Sequence, residues 1–132
     1  MLEILFRGKR IDNGEFVYGY VGVFKGTTQI YVPFTEEEEK ENEGHIFSAI
    51  GGLWYTVNPA TVGQFTGLTD KNGKKIFEGD IVDVDGDVYA CRWDEGNFEF
   101  GLVSKDVSFG IAYATIDQVI GNIHDNPDLL NK

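Results

Sequence analysis

The segment from Thr61 to Val84 constrains the fold more than any other part of the chain. Two strand-like runs flank a turn that ends in Asn72 and Gly73. An Asn-Gly pair between such runs is the strongest local indication of a β-hairpin, because these residues tolerate left-handed backbone angles. The segment therefore predicts a β-rich domain. Its predicted strands are Val62–Leu68, Lys74–Phe77 and, after the turn Glu78-Gly79-Asp80, Ile81–Val84.

The rest of the chain carries the same kind of pattern. Phe16 to Phe24 is rich in aromatic and β-branched residues and follows Asn13-Gly14, which predicts a hairpin with Ile4–Lys9. Asn126-Pro127 predicts a short C-terminal helical turn over Asp128–Leu130. Short strands at close spacing are typical of a meander or a small barrel. Further strands are predicted at Gln29–Pro33, Trp54–Val57, Val88–Trp93, Phe98–Val103 and Gln118–Ile123.

An acidic run lies within the first half of the chain. Residues 35–44 contain six glutamates and no apolar anchor, which predicts a solvated loop. We therefore expect a β-rich N-terminal subdomain over residues 1–58, with this loop near 35–44, and a second domain over residues 59–132.

The net charge of the chain limits the classes of partner that it can be expected to bind. The net charge is −11, and only Arg7, Lys9 and Arg10 form a basic cluster near the N-terminus. Nucleic-acid binding depends on neutralising phosphates, so this balance disfavours it. No apolar run approaches the ~20 residues of a membrane helix, and no secretory pattern is present. Cys91 is the sole cysteine. We expect a cytoplasmic protein with no membrane partner.

No residue set predicts catalysis or a bound cofactor. Cys91 lies in mid-strand, where a cysteine usually acts as a small apolar residue. The two histidines, His45 and His124, are too few for a structural zinc site. Asp83, Asp85 and Asp87 alternate along a strand, with about 7 Å between neighbours, so they predict a solvated face rather than a calcium site, unless the chain turns at Gly86. We expect a protein that is not an enzyme and has no metal or cofactor.

Aromatic side chains in the second half are the candidates for binding. Phe98, Phe100 and Leu102 share a face and are expected in the core, as are Val82 and Val84, whereas Ile81 is expected on the outer face with the aspartates. Trp93, Phe109 and Tyr113 are the candidate partner-binding residues, because an aromatic groove on a small barrel suits a peptide.

Residues 62–82, VGQFTGLTDKNGKKIFEGDIV, closely resemble the hallmark of the YopX family. The closing residues 119–130, VIGNIHDNPDLL, and the opening FRGKR at 6–10 are similar to the same family. The resemblance implies a protein of bacteriophage or prophage origin. It also implies a mainly β fold with an SH3-like barrel in the C-terminal half and no catalytic residue to carry over. The residues that form the structural motif are Gly67, Asn72, Gly73, Gly79 and Asp80.

These observations favour one function and leave an alternative open. The first is a phage-encoded, non-enzymatic module that binds a protein partner or a second copy of itself in the cytoplasm of a bacterial host. The alternative is a nucleic-acid-linked accessory protein, or an acidic mimic of nucleic acid. Lys71, Lys74 and Lys75 at the hairpin, with the basic N-terminal cluster, would supply the contacts in that case.

Overall fold

The computed structural model describes residues 4–41 and 51–131, apart from the side chains of Glu39 and Tyr113. The described chain forms two compact units, and the division lies between Val62 and Gly63. The boundary predicted from the sequence lies between residues 58 and 59. Both units are built mainly from antiparallel strands.

The N-terminal unit is a four-stranded antiparallel arrangement. Its strands are β1 (Phe6–Lys9), β2 (Phe16–Phe24), β3 (Thr27–Pro33) and β4 (Gly52–Thr56), followed by a 3₁₀ turn at Pro59–Thr61. They lie side by side in the order β4-β3-β2-β1. The predicted hairpin between β1 and β2 and the strands predicted at β3 and β4 are confirmed. Among the described residues of this unit, Ile30 and Val57 are the buried apolar residues.

Gly19 lies where β2 changes its pairing partner. Residues 16–19 pair with β1, and residues 20–24 pair with β3. A Cβ atom at Gly19 would lie 1.9 Å from the carbonyl oxygen of Tyr31, which leaves no room for a side chain. The long aromatic strand therefore needs this glycine so that both neighbours can approach it.

The acidic run is partly helical, so the predicted loop is wrong for the residues described here. Helix α1 spans Glu36–Glu41. Its start is a reciprocal capping box: the Thr35 hydroxyl accepts from the Glu38 amide, and the Glu38 carboxylate accepts from the Thr35 amide. Glutamates in a first turn also suit the positive end of the helix dipole. Residues 42–44, like His45, lie outside the described residues.

The C-terminal unit combines a hairpin with a five-stranded antiparallel sheet. The hairpin consists of β5 (Gly63–Thr69) and β6 (Lys75–Phe77). The sheet contains β7 (Asp80–Val84), β8 (Asp87–Asp94), β9 (Glu99–Val103), β10 (Ser108–Gly110) and β11 (Gln118–Asn122), in the order β10-β9-β8-β7-β11. The predicted C-terminal helical turn is confirmed as a 3₁₀ turn at Pro127–Asn131. Within the described residues β10 and β11 do not pair with each other, so the sheet does not close into a barrel.

The core of the C-terminal unit lies on one face of this sheet. Its buried residues are Ile76, Val82, Cys91, Leu102, Ile111 and Ile116, and Val84 and Phe100 pack against them. Cys91 is thus a core residue. Ile81 is also fully buried, although its alternation with Val82 places it on the opposite face. The prediction of an outer position for Ile81 is wrong, because both faces of β7 are covered at this point.

Two further predictions in this unit are wrong because the turns include residues that were predicted to lie in strands. Phe98 is not in a strand: it has φ of 51° in the turn before β9 and is 81% exposed, so it shares no face with Phe100. Asp85 and Gly86 form the two-residue turn between β7 and β8, with φ of 51° and 90°. Asp83, Asp85 and Asp87 therefore do not lie along one strand.

Candidate functional site

The hairpin of the family motif depends on two glycines. Gly73 has φ of 82°, and its amide donates to the Asp70 carbonyl at 3.0 Å, which closes the turn. Gly67 has φ of 88° and lies within the irregular part of the β5–β6 register. Asn72 is not among the residues with positive φ. In this turn Gly73 therefore has a left-handed backbone angle and Asn72 does not.

Asp70 is the buried carboxylate of this hairpin. Its Oδ1 accepts hydrogen bonds from the amides of Asn72 and Lys74, and its Oδ2 accepts from the amide of Val119 in β11, each at 2.9 Å. Burial alone would raise the pKa of Asp70, but the three amide donors outweigh burial and leave this pKa below its ordinary value. Asp70 thus joins the hairpin tip to a distant strand.

An ion pair between two side chains also holds the tip of the β5–β6 hairpin. The Lys71 ammonium donates to the Asp117 carboxylate at 2.5 Å, and this hydrogen bond lowers the pKa of Asp117 and raises the pKa of Lys71. Asp117 also accepts from the Asp85 amide at 2.7 Å. Lys71 is therefore engaged within the protein.

The second turn of the motif also combines a glycine of positive φ with a buried aspartate that accepts a hydrogen bond from the backbone. Gly79 has φ of 94°, its amide donates to the Cys91 carbonyl at 2.8 Å, and its carbonyl accepts from the Ile123 amide. The buried Asp80 carboxylate accepts from the Phe77 amide at 2.8 Å. Gly73, Gly79 and Asp80 therefore each stabilise a turn.

The three aromatic candidates do not form one open groove in the described residues. Trp93 is 42% exposed and packs edge-on against Phe100, with ring centroids 5.0 Å apart. Phe109 is half-buried and packs edge-on against Tyr89 at 5.1 Å, beside the core. Trp93 and Phe109 lie on β8 and β10, on either side of β9. Tyr113 ends the 3₁₀ turn Ile111–Tyr113, and its side chain lies outside the described set.

A larger exposed aromatic surface occurs on the N-terminal sheet, which sequence reasoning did not single out. Register places Tyr20 opposite Tyr31, and Tyr31 opposite Trp54, so these three rings share one face. The opposite face carries the buried Ile30. We name this surface the aromatic face and define it by Tyr18, Tyr20, Phe24, Tyr31 and Trp54; their exposed fractions are 45% for Tyr18, 52% for Tyr20, 66% for Phe24 and 52% for Trp54.

One end of the aromatic face forms a shallow depression of about 430 Å³, lined by Gly22, Val23, Phe24, Gln29 and Trp54. The Trp54 indole lies over Gly22: a Cβ atom there would be 3.1 Å from the ring. Trp54 also packs on Tyr31, with ring centroids 5.1 Å apart and planes inclined by 47°. The glycine therefore gives the indole its position. Among the described residues none that lines the depression is charged, and the Lys25 ammonium lies 5.6 Å from the ring centroid of Phe24.

The charge on this sheet is unusual for so acidic a chain. The chain has 22 acidic residues, but the four strands, FRGK, FVYGYVGVF, TTQIYVP and GLWYT, contain none. Their two cations are on β1 and already have contacts. The buried Arg7 guanidinium lies 4.3 Å from the Phe16 ring centroid. The Lys9 ammonium donates to the Gly14 carbonyl at 2.9 Å.

Arg10, the third member of the basic cluster, is also engaged. Its guanidinium donates to both oxygens of Asp12, and this hydrogen bond lowers the pKa of Asp12. It also lies over the Tyr55 ring at 4.5 Å. The basic cluster therefore offers no set of uncommitted cations.

Residues suited to metal binding do not cluster within the described ranges. Among residues 4–41 and 51–131, no three of the His, Cys, Asp and Glu side chains lie close enough together to hold an ion. His45 lies outside these ranges. In the same part of the chain, every helix is too short or too polar to cross a membrane.

The fold and this surface define a mainly β protein with two antiparallel sheets, an acidic C-terminal unit and an acid-free, aromatic N-terminal sheet. The family model described as YopX protein matches residues 5–131. The chain therefore belongs to the YopX family. A search of curated proteins gave no significant match.

Proposed function

We propose that this protein is a binding module that engages a protein partner through the aromatic face. The observation that carries the proposal is the exposure of Tyr20 and Trp54 on an acid-free sheet. Protein interfaces are enriched in tyrosine and tryptophan and depleted of acidic residues at their centre. An exposed apolar patch on a small domain commonly marks such a site.

The proposal includes the setting that family resemblance suggests. We infer a non-enzymatic, cofactor-free role in the cytoplasm of a bacterial host, for a gene of phage or prophage origin. We also retain an SH3-like relationship for the C-terminal unit as part of this proposal. The short antiparallel strands β7, β8 and β9, joined by tight turns, support it.

The nucleic-acid alternative receives less support. Phosphate recognition needs several available cations, whereas Lys9, Arg10 and Lys71 each donate to an oxygen of the protein. The C-terminal unit also carries the larger share of the acidic residues. A protein partner is therefore the proposal that we carry forward.

Affinity capture with matched variants tests this function. The chain, immobilised by either end, is exposed to lysate of the bacterium that carries the gene, and retained proteins are identified and purified. We expect one partner to bind the wild type and Phe98→Ala, and to bind Tyr20→Ala/Trp54→Ala roughly tenfold or more weakly. Trp93→Ala tests the site predicted on β8. A partner that binds the double variant normally, or is lost only in Trp93→Ala, contradicts the proposal.

A further inference from the structure

We propose that Asn72 is the site at which this chain deamidates spontaneously, and that the folded hairpin of the family motif sets the rate. The inference goes beyond the proposed function and does not depend on a partner. An asparagine followed by glycine is prone to this reaction, because a glycine has no side chain to shield its amide nitrogen from the neighbouring carboxamide. The chain has two such pairs, Asn13-Gly14 and Asn72-Gly73.

The reaction is an intramolecular substitution at the side-chain amide. The Gly73 amide nitrogen gives its proton to solvent hydroxide and attacks the side-chain carbonyl carbon of Asn72. A C–N bond forms and closes a succinimide ring, and the bond to the NH₂ group breaks, so that ammonia leaves with a proton from water. Water then adds to one of the two ring carbonyls and breaks its C–N bond. The product at position 72 is aspartate or isoaspartate, which carries a new negative charge.

The two Asn-Gly turns are alike in the features that control access to the attacking nitrogen. Gly14 and Gly73 have φ of 72° and 82°, and a Cβ atom at either position would meet nothing within 4 Å. Each glycine amide donates to a backbone carbonyl of its own turn, at 3.0 Å in both cases. Asn13 and Asn72 are both exposed. The two pairs are therefore matched sites within one chain.

The two asparagine side chains differ in their contacts. The Asn13 Oδ1 accepts from the Glu15 amide at 2.9 Å, and the Asn13 Nδ2 donates to the Glu15 carboxylate at 3.4 Å. These bonds restrict the side-chain torsions of Asn13 and hold its leaving group. In the part of the chain that the structure describes, the Asn72 side chain makes no hydrogen bond, so its carbonyl carbon can rotate toward Gly73. Asn72 therefore reacts before Asn13.

The hairpin limits the reaction at Asn72. The Gly73 amide donates to the Asp70 carbonyl, and the Asp70 carboxylate accepts from the amides of Asn72 and Lys74. The attacking nitrogen becomes available when the hydrogen bond from Gly73 to Asp70 opens. The rate at Asn72 therefore follows the local opening of the hairpin tip.

Isoaspartate at position 72 would change the hairpin permanently. It adds a carbon atom to the main chain between residues 72 and 73, within the segment that the Asp70 side chain spans from the Asn72 amide to the Lys74 amide. These two amides then no longer both reach the same Oδ1 atom. Deamidation thus weakens the contacts of Asp70 in a fraction of molecules that grows with the age of the protein.

Peptide mapping by mass spectrometry, on the full chain incubated at mildly alkaline pH, tests the proposal. In the folded chain we expect Asn72 to convert roughly fivefold faster than Asn13, which is the factor that one net hydrogen bond contributes. In concentrated urea the contacts of Asn13 are lost, so the two pairs should convert at rates within about twofold of each other. Asn72→Gln should abolish the product at position 72 and leave the rate at Asn13 unchanged.

Asp70→Asn tests the control by the hairpin. It should raise the rate at Asn72 roughly tenfold, because it weakens the contacts that keep the tip closed, and should leave the rate at Asn13 unchanged. Asp87→Asn is the matched control and should change neither rate. Circular dichroism checks that each variant is folded.

The stability of the modified protein is measured on the isoaspartate fraction, separated by ion exchange from aged material. It should unfold at a lower urea concentration than the unmodified chain. Asn72→Asp, which carries the new charge on an unaltered main chain, should unfold close to the wild type.

Several outcomes would overturn the inference. They are conversion of Asn13 as fast as Asn72 in the folded chain, a ratio of the two rates that urea leaves unchanged, and an unchanged rate at Asn72 in Asp70→Asn. An isoaspartate fraction that unfolds together with Asn72→Asp would contradict the effect on the hairpin. None of these outcomes bears on the aromatic face, so the proposed function is tested separately.

Discussion

Asp70 illustrates how a single side chain can determine the position of a whole hairpin. Its two carboxylate oxygens accept from three backbone amides, two in its own turn and one in β11. An apolar or smaller side chain would leave these part-buried amides without this acceptor. A buried donor without an acceptor costs about 1–3 kcal/mol.

We predict that Asp70→Asn lowers the free energy of unfolding by about 2 kcal/mol. The asparagine oxygen can replace one carboxylate oxygen, but its NH₂ group would face another donor. Urea denaturation measures the loss. Asp87→Asn, which changes an exposed carboxylate of the same unit, is the control and should lie within about 0.5 kcal/mol of the wild type. Equal stability of the two variants would contradict the role of Asp70.

Low pH should remove the stabilisation of the fold that Asp70 provides. The pKa of Asp70 is lower in the folded chain than in the unfolded chain, because its amide donors favour the carboxylate. A group of this kind stabilises the fold fully above its unfolded pKa, about 3.9, and the contribution is lost as pH falls through the folded pKa.

We therefore predict that the difference in stability between the wild type and Asp70→Asn narrows below about pH 4. Urea denaturation of both proteins at pH 7, 5, 4 and 3 measures it. A difference that stays constant over this range would show that ionised Asp70 does not stabilise the fold.

At the scale of elements, Gly73 carries a conformational requirement that can be separated from packing. It has φ of 82°, and a Cβ atom there would meet nothing within 4 Å. The cost of a side chain at this position is therefore backbone strain alone. Alanine should show the full cost of this backbone strain, whereas asparagine tolerates the left-handed region better.

We predict that Gly73→Ala lowers the free energy of unfolding by about 1–2 kcal/mol and that Gly73→Asn lowers it less. Urea denaturation compares the two. If alanine and asparagine cost the same, the side chain rather than the backbone angle would explain the loss.

The elements differ in how far the sequence reveals them. Hairpins with Asn-Gly turns could be predicted because the turn residues act locally, whereas the alternation of aspartates around Asp85-Gly86 favoured a strand over the turn found there. Helix α1 could also have been found, since Thr35 and Glu38 have the spacing of a capping box. Strand β10 could not, because three residues are too short to establish an alternation. The aromatic face required the register of β3 and β4, which brings Trp54 beside Tyr31 from a distant part of the chain.

At the scale of the whole molecule, the charges are distributed unevenly. The acid-free strands of the N-terminal sheet contrast with a chain of net charge −11. The net negative charge therefore disfavours long-range attraction of polyanions.

We predict that a labelled single-stranded oligonucleotide does not bind at about 0.15 M salt, because Lys9, Arg10 and Lys71 are already engaged. Fluorescence anisotropy measures the binding. Partner binding at the aromatic face should change less than about threefold between 0.05 and 0.5 M salt. Saturable oligonucleotide binding that Tyr20→Ala abolishes would contradict the assignment of this surface to proteins.

The hydrogen bond from the Val119 amide to Asp70 joins residues 49 positions apart. During synthesis on the ribosome it cannot form until residue 119 has left the exit tunnel, whereas the pairings β1–β2, β2–β3 and β3–β4 need only residues up to Thr56. Hydrogen exchange on nascent chains stalled at successive lengths would resolve the order. The pairings among β1, β2, β3 and β4 can thus form while the hairpin of the family motif still lacks its hydrogen bond to β11, so we expect newly made chains to expose the aromatic face before they are fully folded.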